Sequence, residues 1–374
     1  MKIRNAFLRR LTLSAGAVLV LAPGPAAAQE DPVAFAKDVV EQASKSVMSL
    51  DEMGKGAVIW AGPESSPPPA RDVTVAVMPC PLSLSVCQKN LAYASEAAKA
   101  IGWKVIPIDT RGDPGTAQRG VDAALNKGAQ CVLLLASPAR DIRAQIQRGK
   151  EKGVAFVVSF ADDPVPYGGD VGYGIDQATA GKLLAAYVVA NGGGKVVLLG
   201  APAFPQLSAR LQGFRDYLAE YGGDTTVVLE EVEFNVGAGA PDLVTKTQAL
   251  LTKYPQDSFQ WVLTPYDEAL VPVLATMRQR DRTEIHGLSF DGEPVAISSI
   301  LGDKAQAATI SWGLEWAAWA GIDECNRALN KSEVGVHHDF PLQLTTAANA
   351  VAGGVYDPGL DFKAHFKAMW AGGN

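Results

Sequence analysis

From residue 73 onward, short runs of branched apolar residues alternate with amphipathic stretches, and that rhythm leaves few folds open. "VTVAVM", "WKVIPI", "CVLLLA" and "VAFVVSF" read as strands. The spacing predicts helices over 83–101, 115–127 and 138–152 between them, with Gly102, Gly128 and Gly153 as stops. "ADDPVPYGGD" (161–170) interrupts the pattern and reads as a boundary. The alternation then resumes with strands "KVVLLG", "TTVVLEEVEF", "FQWVLT", "EIHGLSF" and "AQAATIS". Helices are predicted over 176–190, 206–221, 241–254, 267–279, 293–301 and 312–329. Continuous apolar strands separated by helices imply parallel sheets covered on both faces. The fold class is α/β, with two doubly wound parallel-sheet lobes. Ligands of such sheets bind outside the carboxyl ends of the strands, so the residues just after each strand carry the information.

The first 28 residues stand outside this rhythm. Lys2, Arg4, Arg9 and Arg10 precede the apolar "LTLSAGAVLVLA", and Ala26-Ala27-Ala28 offers small residues for cleavage. This is the pattern of an export signal cleaved near Ala28, and the apolar run is too short to span a bilayer. The expected location is the periplasm; the sequence does not separate general secretion from twin-arginine export. Residues 29–71 read as a helix over 31–50 followed by the stiff Pro-rich leader "WAGPESSPPPAR". Loss of residues 1–28 removes four basic and no acidic residues, moving the net charge from −7 to −11. That balance argues against nucleic acid and anionic membrane as partners. Four cysteines allow three full pairings, and the sequence does not choose among them. Cys80–Cys87 is the favoured pair, because a strand end and the first turns of the next helix can lie close. Cys131 reads as a buried small hydrophobe, and Cys325 lies in a helical pattern.

No catalytic constellation stands out: HExxH, GxSxG and GxxxxGK(S/T) are all missing, so no catalytic residue, cofactor or metal is assigned and the chain is not read as an enzyme. "NGGGK" (191–195) follows a helix and reads as its C-cap. His337-His338 reads as a solvated loop, and Asp162-Asp163 as turn formers with a carboxylate-pair role as the rival. The strand ends offer more. Asp267 reads as a helix cap, which leaves Tyr266 to face the cleft. Asp291 of "FDG" reads as a carboxylate accepting hydrogen bonds from ligand hydroxyls, with a tight Asp-Gly turn as the rival. Trp312 is placed to stack on a ligand, whereas Trp316 and Trp319 read as packing residues. Phe160 and Phe234 also end strands, with core packing as the rival reading.

Over residues 72–346 the chain resembles the periplasmic sugar-binding proteins of ribose-binding type. These are type I periplasmic binding proteins that serve ATP-binding-cassette importers and share the LacI-like effector fold. The resemblance is carried by "EAAKAIGWKVIPID", "GIDQATAGKLLAAYV", "LQGFRDYLAEYG", "WVLTPYDEAL" and "LSFDGEP", in that order. The leader resembles the W-x-GP lead-in of a subgroup of sugar receptors. The resemblance implies two lobes joined by three crossovers near 161–166, 309–312 and 336–341. The N-terminal lobe would take 72–162 and 312–336, and the C-terminal lobe and tail 163–311 and 337–374. It implies a ligand site at Leu84, Val86, Phe160, Asp162, Ser208, Arg210, Phe234, Tyr266, Asp291 and Trp312. Several of these depart from the family pattern: the first loop carries Leu82, Ser83, Leu84 and Val86 where Asn and Phe are usual. Tyr266 and Trp312 stand where Asn and Gln are common. Hydroxyl-reading groups are thus lost and apolar surface gained, with Arg210 the one nearby cation. A Cys80–Cys87 bond would pin the first loop as an apolar wall. The expected function is capture of a small solute, a sugar or polyol, for delivery to the membrane permease of an importer, by a monomer. The alternatives are a less polar or aromatic solute, and a ligand-loaded partner of a membrane sensor.

Overall fold

The computed structural model describes residues 31–46, 58–337, 340–354 and 356–372. The export-signal reading and His338 lie outside the described residues. The first helix, α1 (Pro32–Ala43), buries Ala36, Val39 and Ala43 on one face. The first lobe then alternates β1 (Thr74–Pro79), α2 (Ser85–Ala100), β2 (Lys104–Pro107), α3 (Pro114–Asn126), β3 (Cys131–Leu135), α4 (Arg143–Glu151), β4 (Ala155–Ser159) and β5 (Val171–Tyr173). Its strands are all parallel, in the order β2-β1-β3-β4-β5. β3 and β4 are buried along their whole length, which is why they read as unbroken apolar runs; β2 is an edge and admits Lys104.

The second lobe repeats the plan with α5 (Gln177–Ala190), β6 (Gly194–Gly200), α6 (Pro205–Tyr221), β7 (Thr226–Glu233), α7 (Ala240–Lys253), β8 (Trp261–Leu263), α8 (Asp267–Gln279), β9 (His286–Asp291), α9 (Pro294–Leu301) and β10 (Gln306–Trp312). The chain then forms α10 (Leu314–Leu329), β11 (Leu342–Thr346) and α11 (Phe362–Ala371). The second sheet runs β11-β10-β9-β8-β6-β7, with β11 antiparallel to β10. α10 returns to the first lobe against α2, β3 and β4. No helix among the described residues is long and apolar enough to cross a membrane.

Two expectations about the lobes need correction. The boundary at 162/163 falls too early, because β5 pairs with β4 and keeps 163–173 in the first lobe. The chain crosses after Tyr173, where Asp176 caps α5 by accepting from the amides of Ala178 (2.9 Å) and Thr179 (3.2 Å). The tail, assigned to the second lobe, divides: β11 joins the second sheet, but α11 packs on α10 of the first lobe.

Both chain ends thereby join the lobes. α1 packs on α5 and β11 of the second lobe, with Phe35 stacked on Tyr221 at 4.8 Å. From Trp60 onward the leader lies on the first lobe: Trp60 stacks on Trp316 (5.2 Å) and His365 (4.9 Å). Asn326 of α10 holds the leader twice, accepting from the Ala70 amide (2.9 Å) and donating to the Pro67 carbonyl (2.8 Å). Asp323, fully buried, accepts from Ser66 Oγ (2.5 Å), Arg327 Nε (2.7 Å), His337 Nε2 (3.0 Å) and Trp370 Nε1 (2.8 Å). Its neighbour Glu324 accepts from the amides of Gly335, Val336 and His337, fixing the last crossover. His337 is therefore buried rather than solvated. Cys131 of β3 is bonded to Cys325 of α10, with Cα atoms 6.0 Å apart.

Candidate functional site

The two strand orders each reverse once, between β1 and β3 in the first sheet and between β6 and β8 in the second. At such switch points the loops diverge and leave a crevice. The two crevices face one another and enclose about 60 Å³ of free space. From the first lobe come Cys80, Pro81, Leu84 and Val86 after β1, Ala136 after β3 and Phe160 after β4. From the second come Gln206 and Arg210 on α6, Tyr266 after β8 and Asp291 at the end of β9. Trp312, the last residue of β10, closes the hinge side. It meets Phe160 edge-to-face at 4.6 Å.

The β1 loop is shaped by the Cys80–Cys87 bond, whose Cα atoms lie 5.3 Å apart. The Cys80 amide donates to the Leu135 carbonyl (2.8 Å), extending the ladder by one residue before the turn. The Leu82 amide donates to Asp109 (3.1 Å). Pinned at both ends, the loop presents Leu84 and Val86 as a wall. Three other lining residues, Ala136 (φ 57°), Phe160 (φ 52°) and Asp291 (φ 103°), take positive φ without being glycine. Such backbone is costly and persists only where its surroundings enforce it. Here it turns each strand end across the mouth of the crevice.

Charge in the cleft is self-satisfied. Arg210, 3% exposed, donates to Gln177 Oε1 (2.7 Å) and to the Pro265 carbonyl (2.7 Å), and pairs with Asp291 Oδ1 at 2.9 Å. Asp291 Oδ1 also accepts from Trp312 Nε1 (3.2 Å). The position of Arg210 depends on close helix packing: α5 and α6 meet backbone to backbone, and a Cβ on Gly181 would collide with the Arg210 carbonyl. Behind the site, Asp267 is buried and does not cap α8 through its side chain; the residue before that helix is Tyr266. It accepts instead from the Glu293 amide (2.7 Å), from Thr309 (2.8 Å) and from Ser289, tying β8, β9 and β10 together. Burial, together with the nearby Asp291 carboxylate, raises its pKa to about 7. A carboxyl raised on folding stabilises most below its unfolded pKa, and that contribution is lost as pH rises toward the folded value. Stability should therefore carry a one-proton downward slope between about pH 4 and pH 7 that Asp267→Asn removes, as read by denaturant titrations across that range. An unchanged slope in the variant would refute the assignment.

The lobes are latched shut. The first amide of α2, Ser85 N, has no partner within its own helix and donates to Glu268 of the second lobe at 2.9 and 3.0 Å. Glu293 accepts from Ser85 Oγ (2.6 Å) and pairs with Lys89 Nζ (2.8 Å). Arg140 donates to the Ala203 carbonyl, and Gln206 Nε2 to the Ala136 carbonyl (3.3 Å). Glu293→Ala removes two of these contacts without touching the cavity wall. It should cost the closed form about 1–2 kcal/mol and weaken solute affinity roughly tenfold. Calorimetry and small-angle scattering would check this; unchanged affinity and unchanged radius would remove the latch role.

Of the residues singled out in the sequence, Leu84, Val86, Phe160, Arg210, Tyr266, Asp291 and Trp312 line the cavity. Three do not. Asp162 accepts from the amides of Ala139 (2.6 Å) and Arg140 (3.0 Å), so its carboxylate is spent capping that turn. Ser208 is half-buried on α6, two residues from both Gln206 and Arg210 and so on another side of the helix. Phe234 packs into the second lobe's core behind Tyr266, at 6.1 Å. Sequence reasoning missed the others, among them Asn90, Ala136, Phe204, Gln206, Leu207 and Val236. For Asn90 and Gln206 a signal existed: each is a polar residue on the apolar stripe of its helix. Among the described residues no cluster of His, Cys, Asp and Glu is arranged to hold a metal.

The sequence profile of the periplasmic binding protein domain matches residues 75–333. No curated protein matches the chain. Among solved structures, the myo-inositol binding protein of Caulobacter bound to myo-inositol is 20% identical. It superposes with a TM-score of 0.66 over 76% of this chain and 96% of its own. A sugar ABC transporter protein from Yersinia enterocolitica is 18% identical, with a TM-score of 0.70 over 83% of this chain and 99% of its own. An ABC transporter solute binding protein from Mycobacterium smegmatis with bound glycerol is 18% identical, with a TM-score of 0.67 over 75% of this chain and 96% of its own. At these identities the likeness establishes the fold.

Proposed function

Since the chain belongs to the periplasmic binding protein domain family, we propose that it captures a small solute, a sugar or polyol, between its lobes and delivers it to the permease of an ATP-binding-cassette importer. The observation that carries this reading is the cavity itself, walled by strand ends of both lobes and shut by contacts that cross between them. Such a site exists only when the lobes meet, so solute binding and closure are one event, and closure is what a membrane partner would recognise. The solved relatives bound to myo-inositol and glycerol support a hydroxylated solute. The protein acts as a monomer, without nucleic acid, cofactor or chemistry of its own, after removal of a signal near Ala28. Leu84, Val86, Phe160, Arg210, Tyr266, Asp291 and Trp312 form the binding site.

A second reading, a less polar solute, is favoured by one observation: Asp291, the expected hydroxyl acceptor, already pairs with Arg210 and Trp312. A thermal-shift screen of the mature protein against sugars, polyols and small aromatic acids tests both, since binding the folded state raises the melting temperature by mass action. A rise with sugars or polyols supports the first reading, and a rise with aromatic compounds alone the second. No rise with any class, repeated by calorimetry, would overturn both.

A further inference from the structure

Two buried side-chain amides in the cleft each have a carbonyl oxygen without a partner. Asn90 sits on the buried stripe of α2 with Val86, Cys87 and Ala94, is 1% exposed, and its Oδ1 accepts nothing. Gln206 sits in the first turn of α6, is 6% exposed, and its Oε1 accepts nothing. Donation from Gln206 Nε2 to the Ala136 carbonyl (3.3 Å) orients that amide and leaves Oε1 as the open atom. Both side chains line the same cavity, one from each lobe. A leucine at either place would suit the helix stripe and avoid the cost of a desolvated, unpaired carbonyl.

The remaining lining defines the rest of the ligand. Among the described residues, Arg210 and Asp291 are the only charged ones in the wall, and they neutralise each other. A charged solute would enter as an unpaired buried charge. The free space, about 60 Å³, is under half of the ~150 Å³ cavity that accommodates benzene. Glycerol, with as many heavy atoms as benzene, already needs the lobes to part slightly, and a hexose ring needs them to part further.

We propose that Asn90 and Gln206 are the residues that read the solute, one from each lobe. The solute they select is a short uncharged polyol or diol whose hydroxyls donate to both carbonyls and whose carbon frame lies against Leu84, Val86 and the aromatic rings. This rests on the reading of the interlobe cleft as the solute site. Because the two acceptors belong to different lobes, a solute with one hydroxyl satisfies one lobe only, whereas a diol bridges them and favours closure.

The test is calorimetric titration of the mature protein with 1,2-propanediol, glycerol, erythritol, D-ribose, myo-inositol and sodium glycerate. Short diols or triols should bind most tightly and glycerate not at all. Asn90→Leu should weaken the tightest short polyol roughly tenfold with the melting temperature held or raised, a combination that a merely structural role would not produce; Gln206→Leu, which also removes the Ala136 latch, should weaken it at least as much. If Asn90→Leu fails to fold, Asn90→Ala takes its place. Preference for myo-inositol, ribose or glycerate, or affinities within twofold of wild type in the variants, would overturn this inference and leave solute capture standing. Failure of every member of the panel to bind, together with silence in the wider screen above, would overturn both.

Discussion

Replacement of Cys131 and Cys325 by alanine is expected to lower stability by about 5 kcal/mol, since the bond closes a loop whose ends are 194 residues apart in sequence. The bond ties β3, in the centre of the first sheet, to α10, which returns to that lobe only after β6 to β10 of the second. Without it the unfolded chain regains the freedom to separate the two parts of the lobe. The melting temperature should fall on the order of 10 °C. Removing Cys80–Cys87, with a sequence separation of 7, should cost only about 2 kcal/mol by the same reasoning. It should act instead on solute affinity, through the Leu84–Val86 wall. Thermal or denaturant unfolding of both double variants decides the matter; equal losses would mean that chain entropy is not the source.

The second large effect is expected at Asp323. Its carboxylate gathers Ser66 of the leader, Arg327 of its own helix, His337 of the last crossover and Trp370 of the terminal helix. Asp323→Ala leaves the buried Arg327 without its ion-pair partner and three polar groups without an acceptor, a change worth about 3–5 kcal/mol. Hydrogen bonds and the charges of His337 and Arg327 outweigh desolvation and hold its pKa at about 2. A carboxyl depressed on folding contributes stability above its unfolded pKa and loses it as pH falls toward the folded value. Wild type should therefore lose stability between about pH 4 and pH 2, and Asp323→Asn should be flatter there. A variant as stable as wild type, with the same acid limb, would show that the four contacts are dispensable.

The central strands were legible because they are buried on both faces. "CVLLLA" and "VAFVVSF" have no polar alternation to confuse with helix, and each stop is a glycine. β5 was not legible: three residues inside a Gly- and Pro-rich stretch look like linker, and only pairing with β4 makes them strand. The lobe boundary went wrong for that reason. In the cavity wall, Phe160, Tyr266, Asp291 and Trp312 were legible from their place at or after a strand end, whereas Phe234, placed likewise after β7, packs into the core. Asp162 failed because its partners, the amides of Ala139 and Arg140, belong to a distant turn that sequence does not bring near. The latches Glu268 and Glu293 carry no local signal at all, since what they bind is on the other lobe. Asn90 and Gln206 could have been found as breaks in the apolar stripes of their helices.

The leader and the tail have a mechanical consequence. Besides the three crossovers, the chain passes between lobes twice more: from α1 on the second lobe to Trp60 on the first, and from β11 on the second to α11 on the first. The two passages are also bonded where they meet, at Tyr356 and Ser46 (3.1 Å). Any opening arc must carry both passages, and the bond between them, along with the three crossovers. Residence time of a captured solute then follows from the width of that arc as much as from the contacts made to the solute. Release rates measured by stopped flow should track the stiffness of the two chain ends, far from the atoms that touch the ligand.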